Sequence, residues 1–222
     1  MMRNVVKCAM LDARTIRSYL KNMVFMLGLG VVLSLVMKSP TLVMTYMVVI
    51  LMMVSTYPFA VSESNQMAPL YGSLPMKRWH LVAGRYLYAL VMGILATAFS
   101  MVMMPLVTRL IASPDAGDGT PFALLLLGLF LLVCALQYPI FFGLDYTKSK
   151  TFGMLPALVV FLGITLLPGL NKTLHLVDTH SLLSGDGAGG LWGLLLGFAA
   201  AVLVFYALSA YLSFRLYNRR DL

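Results

Sequence analysis

What most constrains this chain is how its apolar residues are bunched. Residues 23–37, 42–61, 82–111, 122–144, 152–170 and 191–214 form six apolar stretches, and the only ionisable Asp, Glu, Lys or Arg within them are Arg85 and Arg109. Crossing the hydrocarbon core of a bilayer takes about 20 such residues. Lipid offers no partner to a bare N–H or C=O, so each stretch is expected to be a helix. Tyr19 and Leu20 lengthen the short first stretch. The long third one is expected to end in a tilted or interfacial turn near Pro105 and Arg109. The fold class is therefore all-α integral membrane protein, with six transmembrane helices in one domain over residues 1–222.

Composition agrees. The chain is 60% apolar and 11% charged, whereas a soluble domain carries about 25% charged residues. A water-soluble globule and a disordered tail are both excluded. The two cysteines, Cys8 and Cys134, fall at different membrane depths and offer neither a disulfide framework nor a metal site.

The net charge of +8 is unevenly placed along the chain. Six spans put both termini on one side. That side holds thirteen of the sixteen Lys and Arg: Arg3, Lys7, Arg14, Arg17 and Lys21 at the start, Lys77, Arg78 and Arg85 after the second span, Lys148 and Lys150 after the fourth, and Arg215, Arg219 and Arg220 in the tail. Lys38, Arg109 and Lys172 fall on the other. The positive-inside rule places both termini in the cytoplasm. A nucleic-acid partner would need this charge gathered on one folded face, so none is expected.

The charged start runs to Lys21, much longer than a signal peptide's, and Lys38-Ser39-Pro40 is no cleavage site. On a helical wheel Arg3, Lys7, Arg14, Arg17 and Lys21 fall within roughly 80° of arc. Val5, Val6, Ala9, Ala13, Ile16 and Leu20 form a neighbouring stripe, with Leu11 the exception. Residues 1–21 are expected to be an amphipathic helix on the membrane surface, its cations among anionic lipid headgroups. A solvated basic stub is the plainer alternative.

No motif for catalysis stands out. The chain lacks a phosphate-cradling Gly-x-x-x-x-Gly-Lys-Ser/Thr, a Gly-x-Ser-x-Gly elbow and a His-Glu-x-x-His. His80, His175 and His180 are expected in connections; the spacing of His175, Asp178 and His180 is weak as a metal set. No acid lies within a span, and ion-driven carriers use one. Energy must come from elsewhere. Arg85 and Arg109, near span ends, are expected to snorkel to the interface.

Smaller signals remain. Gly189, Gly193 and Gly197 repeat at four-residue spacing, which permits close helix contact within the subunit or across a dimer seam. Tyr57-Pro58 and Tyr138-Pro139 are each followed by an acid, Glu63 and Asp145, as though two helices left the bilayer in the same way. Asn171-Lys172-Thr173 fits a glycosylation sequon.

The connection over residues 62–80 is the most distinctive segment. It mixes apolar Met67, Leu70, Leu74 and Met76 with Glu63, Pro75 and a basic end at Lys77-Arg78. A short amphipathic helix broken by Pro75 would present those side chains to a groove in a partner. A plain connector has no need of them.

Glu63, then Leu70-x-x-Ser73-Leu74-Pro75-x-x-Arg78, then Gly84-Arg85, resembles the membrane subunits of type-2 ABC exporters, the ABC-2 permease family. Arg85 stands where that pattern has Lys, and Leu74 precedes the proline as in the small bacterial branch. Tyr146-x-Lys148-x-Lys150 is similar to that branch's Tyr-x-Lys-Gly-Arg, with Ser149 and Lys150 departing from it. The resemblance implies a type V exporter-like architecture and a half-transporter. Its partners are cytosolic ATPase subunits, which carry the ATP and Mg, and a second permease subunit, identical or paralogous. This chain then holds no cofactor and no catalytic residue. Glu63, Leu70, Leu74, Pro75, Met76, Arg78, Tyr146, Lys148 and Lys150 would couple to the ATPase. Residues 166–190 would form an external segment, re-entrant over 166–183.

The function expected is the transmembrane permease of an ATP-driven exporter, moving lipid-like, amphipathic or antimicrobial peptide cargo out of a bacterial cell. The alternative is a membrane sensor or scaffold that partners an ATPase without transport.

Overall fold

The computed structural model describes residues 2–16, 20–38, 41–64, 78–111, 119–144, 153, 155–159 and 188–219. Six helices carry nearly all of them: α1 (Met2–Ile16), α2 (Leu20–Val36), α3 (Thr41–Ser64), α4 (Arg78–Ile111), α5 (Thr120–Gly143) and α6 (Ala188–Asn218). Of these, α1 alone is strongly amphipathic; the others are apolar on all sides, as helices in lipid are. Four are long and apolar enough to cross a membrane, α3 to α6, and Val24–Val36 of α2 is a shorter apolar helix. The fifth expected span lies mostly outside the described residues, where only Gly153 and 155–159 are seen as helical.

Local chemistry sets several helix ends. Thr120-Pro121 opens α5 with a proline in the first turn, where its missing N–H costs nothing. After α2, Lys38 adopts the left-handed conformation (φ 50°) that closes many helices. Two boundaries differ from the sequence expectation. Helix α4 starts at Arg78, so His80 is a buried helical residue rather than part of a connection. It also runs unbroken through Pro105 and Arg109 to Ile111, with no turn there.

Helices α3 and α5 form the centre, with α4 and α6 packed on them. The core joins Met44, Val48, Leu51 and Phe59 of α3 to Phe130, Cys134, Tyr138 and Phe142 of α5. Val82, Tyr86 and Ala89 of α4 and Val202 and Tyr206 of α6 complete it. Outward faces are apolar too: Val102 and Leu110 of α4 and Leu194 and Leu196 of α6 are exposed. Helix α1 lies against the first half of α4 and also touches α3.

Candidate functional site

Most of the buried polar side chains described in the bundle, though not Ser34, Ser100 or Thr108, gather towards the end where α3 stops and α4 begins. Arg85 is at the centre. It lies two turns into α4 and is 6% exposed, so it does not snorkel as the sequence reading expects. Its guanidinium lies 4.2 Å from the ring centre of Phe59 and 5.5 Å from that of Phe142, and one amino group donates to the Pro58 carbonyl at 3.4 Å. Stacking of this kind suits a weakly hydrated planar cation. The opposing charge comes from outside the spans: Asp12 of α1, 3.9 Å from Arg85 Nε.

Gly84 explains how α1 gets so close. A Cβ at this position would stand 2.6 Å from Cys8 Cβ and 3.3 Å from the backbone of Val5 and Ala9. Only glycine lets the α1 backbone settle there. The neighbour of that glycine, Arg85, then meets the acid one turn beyond Cys8. Burial raises the Asp12 carboxyl above the usual carboxylate range, and Arg85 offsets part of that rise. The Cys8 thiol is raised as well, by burial first and then by the Asp12 charge.

A second polar knot binds α4, α5 and α6. The Tyr86 hydroxyl is 2.7 Å from Ser209 Oγ and 2.8 Å from Ser213 Oγ, and Tyr206 donates to the Tyr86 carbonyl at 2.8 Å. Ser209 also donates to the Ala135 carbonyl. That carbonyl is the one left without a helical donor by Pro139, four residues on. The hydroxyl from α6 takes the place of the missing N–H. Tyr138 similarly donates to Ser55 on α3 at 3.2 Å, next to the carbonyl that Pro58 leaves free. The Tyr-Pro pairs are thus points where neighbouring helices are stitched together.

Of the residues singled out from sequence, the structure brings few together. Arg78 opens α4, donates to the Asn218 carbonyl at 3.3 Å and lies 5.9 Å from the Tyr217 ring. A cation at the C-terminus of α6 is favourably placed for that helix's dipole. Glu63 is half-buried in the last turn of α3, so within that helix it sits at the negative end rather than at a helix start. Lys7 and Arg14 are exposed on α1. Arg3 and Lys21 belong to α1 and α2, and nothing further is described of them. Leu70, Leu74, Pro75, Met76, Tyr146, Lys148, Lys150 and Arg17 lie outside the described residues, as do the 166–183 segment and the His175, Asp178 and His180 set. Among the described residues nothing lies within 4 Å of a Cβ placed at Gly193 or Gly197, so neither makes a close contact with them.

Sequence reasoning missed Asp12, Cys8, Tyr86, Ser209 and Ser213. The signal for Asp12 was there: it is the one acid in a basic helix, which invites the question of what cation it faces. The apolar stripe drawn for residues 5–20 is only partly the buried face, since Val6 is 39% exposed while Asp12 is 7% exposed. Contact with Gly84 and Arg85, rather than hydrophobicity alone, sets how α1 is turned.

Among known proteins, a family model described as ABC-2 family transporter protein matches residues 10–218, nearly the whole chain. No curated protein and no solved structure matches it.

Proposed function

This chain belongs to the ABC-2 transporter family, and we propose that it is the permease subunit of an ATP-driven exporter. As a multi-pass membrane protein of that family it serves a transporter whose energy comes from an ABC ATPase subunit. The match over residues 10–218 is the observation that carries the reading. The finer features are proposals. Six spans cross the cell membrane of a bacterium with both termini in the cytoplasm, as the lopsided Lys and Arg distribution favours. A second permease subunit completes the path, and α1 rests among lipid headgroups. ATP and Mg belong to the ATPase. Cargo is lipid-like or amphipathic, as the lack of an acid in the spans favours, and the resemblance to the small bacterial branch adds antimicrobial peptides to that class.

Coupling is assigned to the 65–77 connection, with Leu70, Leu74 and Met76 as apolar anchors. A docked segment of this kind has a few dominant contacts. The geometry supports the assignment: the connection joins α3 directly to α4, and Arg85 ties the adjoining turns of both together. Leu74→Asp is expected to abolish co-purification of the ATPase in mild detergent while membrane insertion continues, and a Ser64→Ala control is expected to retain it. Undiminished association with Leu74→Asp would remove the coupling role. Association and ATP hydrolysis without vesicle transport of any amphipathic cargo would favour the scaffold reading. Arg78 is a poorer probe than Leu74, since Arg78→Glu also frees the end of α6.

A further inference from the structure

We propose that α1 is a releasable latch: it docks on α4 by carrying a carboxylate, Asp12, into the bundle, and Arg85 is the positioning residue that makes this burial tolerable. Helix α1 therefore stays docked only while Arg85 keeps its place between Phe59, Phe142 and the Pro58 carbonyl.

Four observations point this way. The Asp12 and Arg85 side chains are 10% and 7% exposed and 3.9 Å apart, so neither charge is left to water. Arg85 Nε, on the side towards Asp12, has no hydrogen-bond partner among the described residues, and the Tyr88 hydroxyl on the same helix is also buried without one among them. The pair is thus close without being fully bonded. Gly84 lets α1 approach, but it adds no attraction of its own. Finally, Arg85 contacts three other elements, α1, α3 and α5, so a shift of α4 against any of them moves it relative to Asp12.

A buried ion pair is costly to form, and removing one partner strands the other. That asymmetry is what makes a latch of it. Held by apolar contact alone, α1 would respond little to a small displacement of α4. Docked with a buried charge whose compensation sits on α4, it responds sharply. A consequence for coupling, that movement of the 65–77 connection frees α1, rests on the permease reading; the latch itself concerns this chain alone.

Cys8 supplies a native reporter. It is 6% exposed beneath the α1–α4 contact, and the other thiol, Cys134, is fully buried in the core. The full chain in native membranes is treated with N-ethylmaleimide, and labelling of each cysteine is mapped by mass spectrometry. Arg85→Gln is expected to speed Cys8 labelling by about tenfold or more, since an uncompensated buried charge favours the open form. Asp12→Asn alone is expected to leave Cys8 at least as protected as in the unaltered chain, because Arg85 keeps the Pro58 carbonyl and the Phe59 and Phe142 rings. In the double variant, Asp12→Asn restores protection to within about twofold of the unaltered chain. Gly84→Ala, which forces α1 away without changing any charge, is expected to expose Cys8 as well, and Lys7→Gln is expected to change nothing. If Arg85 merely fills space beside Phe59 and Phe142, Asp12→Asn does not rescue Arg85→Gln, and the latch is refuted. Cys8 remaining protected in Arg85→Gln refutes it equally. Labelling of Cys134 marks global unfolding; if Arg85→Gln exposes it, rescue of both thiols by Asp12→Asn supports the latch and failure of rescue refutes it. ATPase association plays no part in these readouts, so loss of the latch leaves the permease reading standing.

Discussion

The two halves of α4 differ in how they are held. Over its first four turns, His80, Val82, Gly84, Arg85, Tyr86, Tyr88, Ala89 and Gly93 are buried; beyond them only Ser100, Met104, Val107 and Thr108 are. Side-chain hydrogen bonds follow the same division. In the first half Tyr86 reaches α6 and Arg85 reaches α3. In the second, Thr97, Ser100 and Thr108 bond back to carbonyls of their own helix. Such bonds satisfy the hydroxyl without tying one helix to another. Among these side-chain bonds of α4, those of the first half cross to other helices and those of the second half stay within α4. Lipid tails are as apolar as leucine, so polar bonds and close packing carry the specificity of contact between spans.

The largest effect should come from the aromatic cluster. Phe59 is 4% exposed, its ring centre lies 5.1 Å from those of Tyr138, Phe141 and Phe142, and Arg85 stacks on it. Phe59→Ala is expected to cost about 3–5 kcal/mol, the range for emptying a buried aromatic site. Phe99→Ala, at a ring 38% exposed in the other half, should cost less than about 0.5 kcal/mol. Thermal unfolding of the two variants in the same detergent checks the pair. Equal losses would abolish the contrast between the ends.

A smaller effect is expected from the knot on α6. Tyr86→Phe removes a hydroxyl shared by Ser209 and Ser213, and interhelical bonds in membranes average about 0.6 kcal/mol each. A loss of about 1 kcal/mol is expected, and Ser209→Ala should match it because the Ala135 carbonyl then lacks any donor. The two changes in one chain should cost less than their sum, since they break the same bond. Ser100→Ala, whose bond lies within α4, should be nearly neutral. A Ser100 effect as large as that of Ser209 would show that the number of hydroxyls, and not where they point, decides stability.

Much of this was legible in the sequence. Helix type and most boundaries follow from hydropathy, because in lipid a long apolar run has no other way to satisfy its backbone. Pro58 and Pro139 form an echo, but that Ser209 serves the carbonyl freed by Pro139 depends on how α6 is rotated against α5. The span position of Arg85 permits snorkelling, which is what the sequence alone leads one to expect. What overrules it is an acid 73 positions earlier in a separate helix, a pairing that no local pattern encodes. Gly84 looked like part of a helix-opening motif, and its steric reason became visible only with the α1 backbone against it. The apolar anchors of the 65–77 connection rest on sequence alone.

The subtlest expected effect tests what the Asp12 charge costs where α1 meets the tightly bonded end. Burial raises the docked Asp12 carboxyl above its ordinary value, with Arg85 opposing. The groups around it are Arg85 and Tyr88 of α4, Cys8 on its own helix, and Tyr57 of α3, which packs in the same cluster as Ala9. A carboxyl with a raised pKa in the docked state binds its proton more tightly there than when α1 is free. Docking gains from this fully at pH below the ordinary carboxylate value, and the gain is lost as pH rises through the raised one. Cys8 reacts with maleimide only when α1 is off and the thiol is in water, so the thiol's own ionisation cancels between the unaltered chain and Asp12→Asn at equal pH. The ratio of their labelling rates should stand near one in acid, rise as Asp12 ionises, and level off above its docked pKa. Arg85 cancels part of the burial cost, which is why this rise should be the smallest of the three effects. A ratio independent of pH would mean that Asp12 docks as readily charged as neutral, and the contact between α1 and α4 would then be one of shape alone.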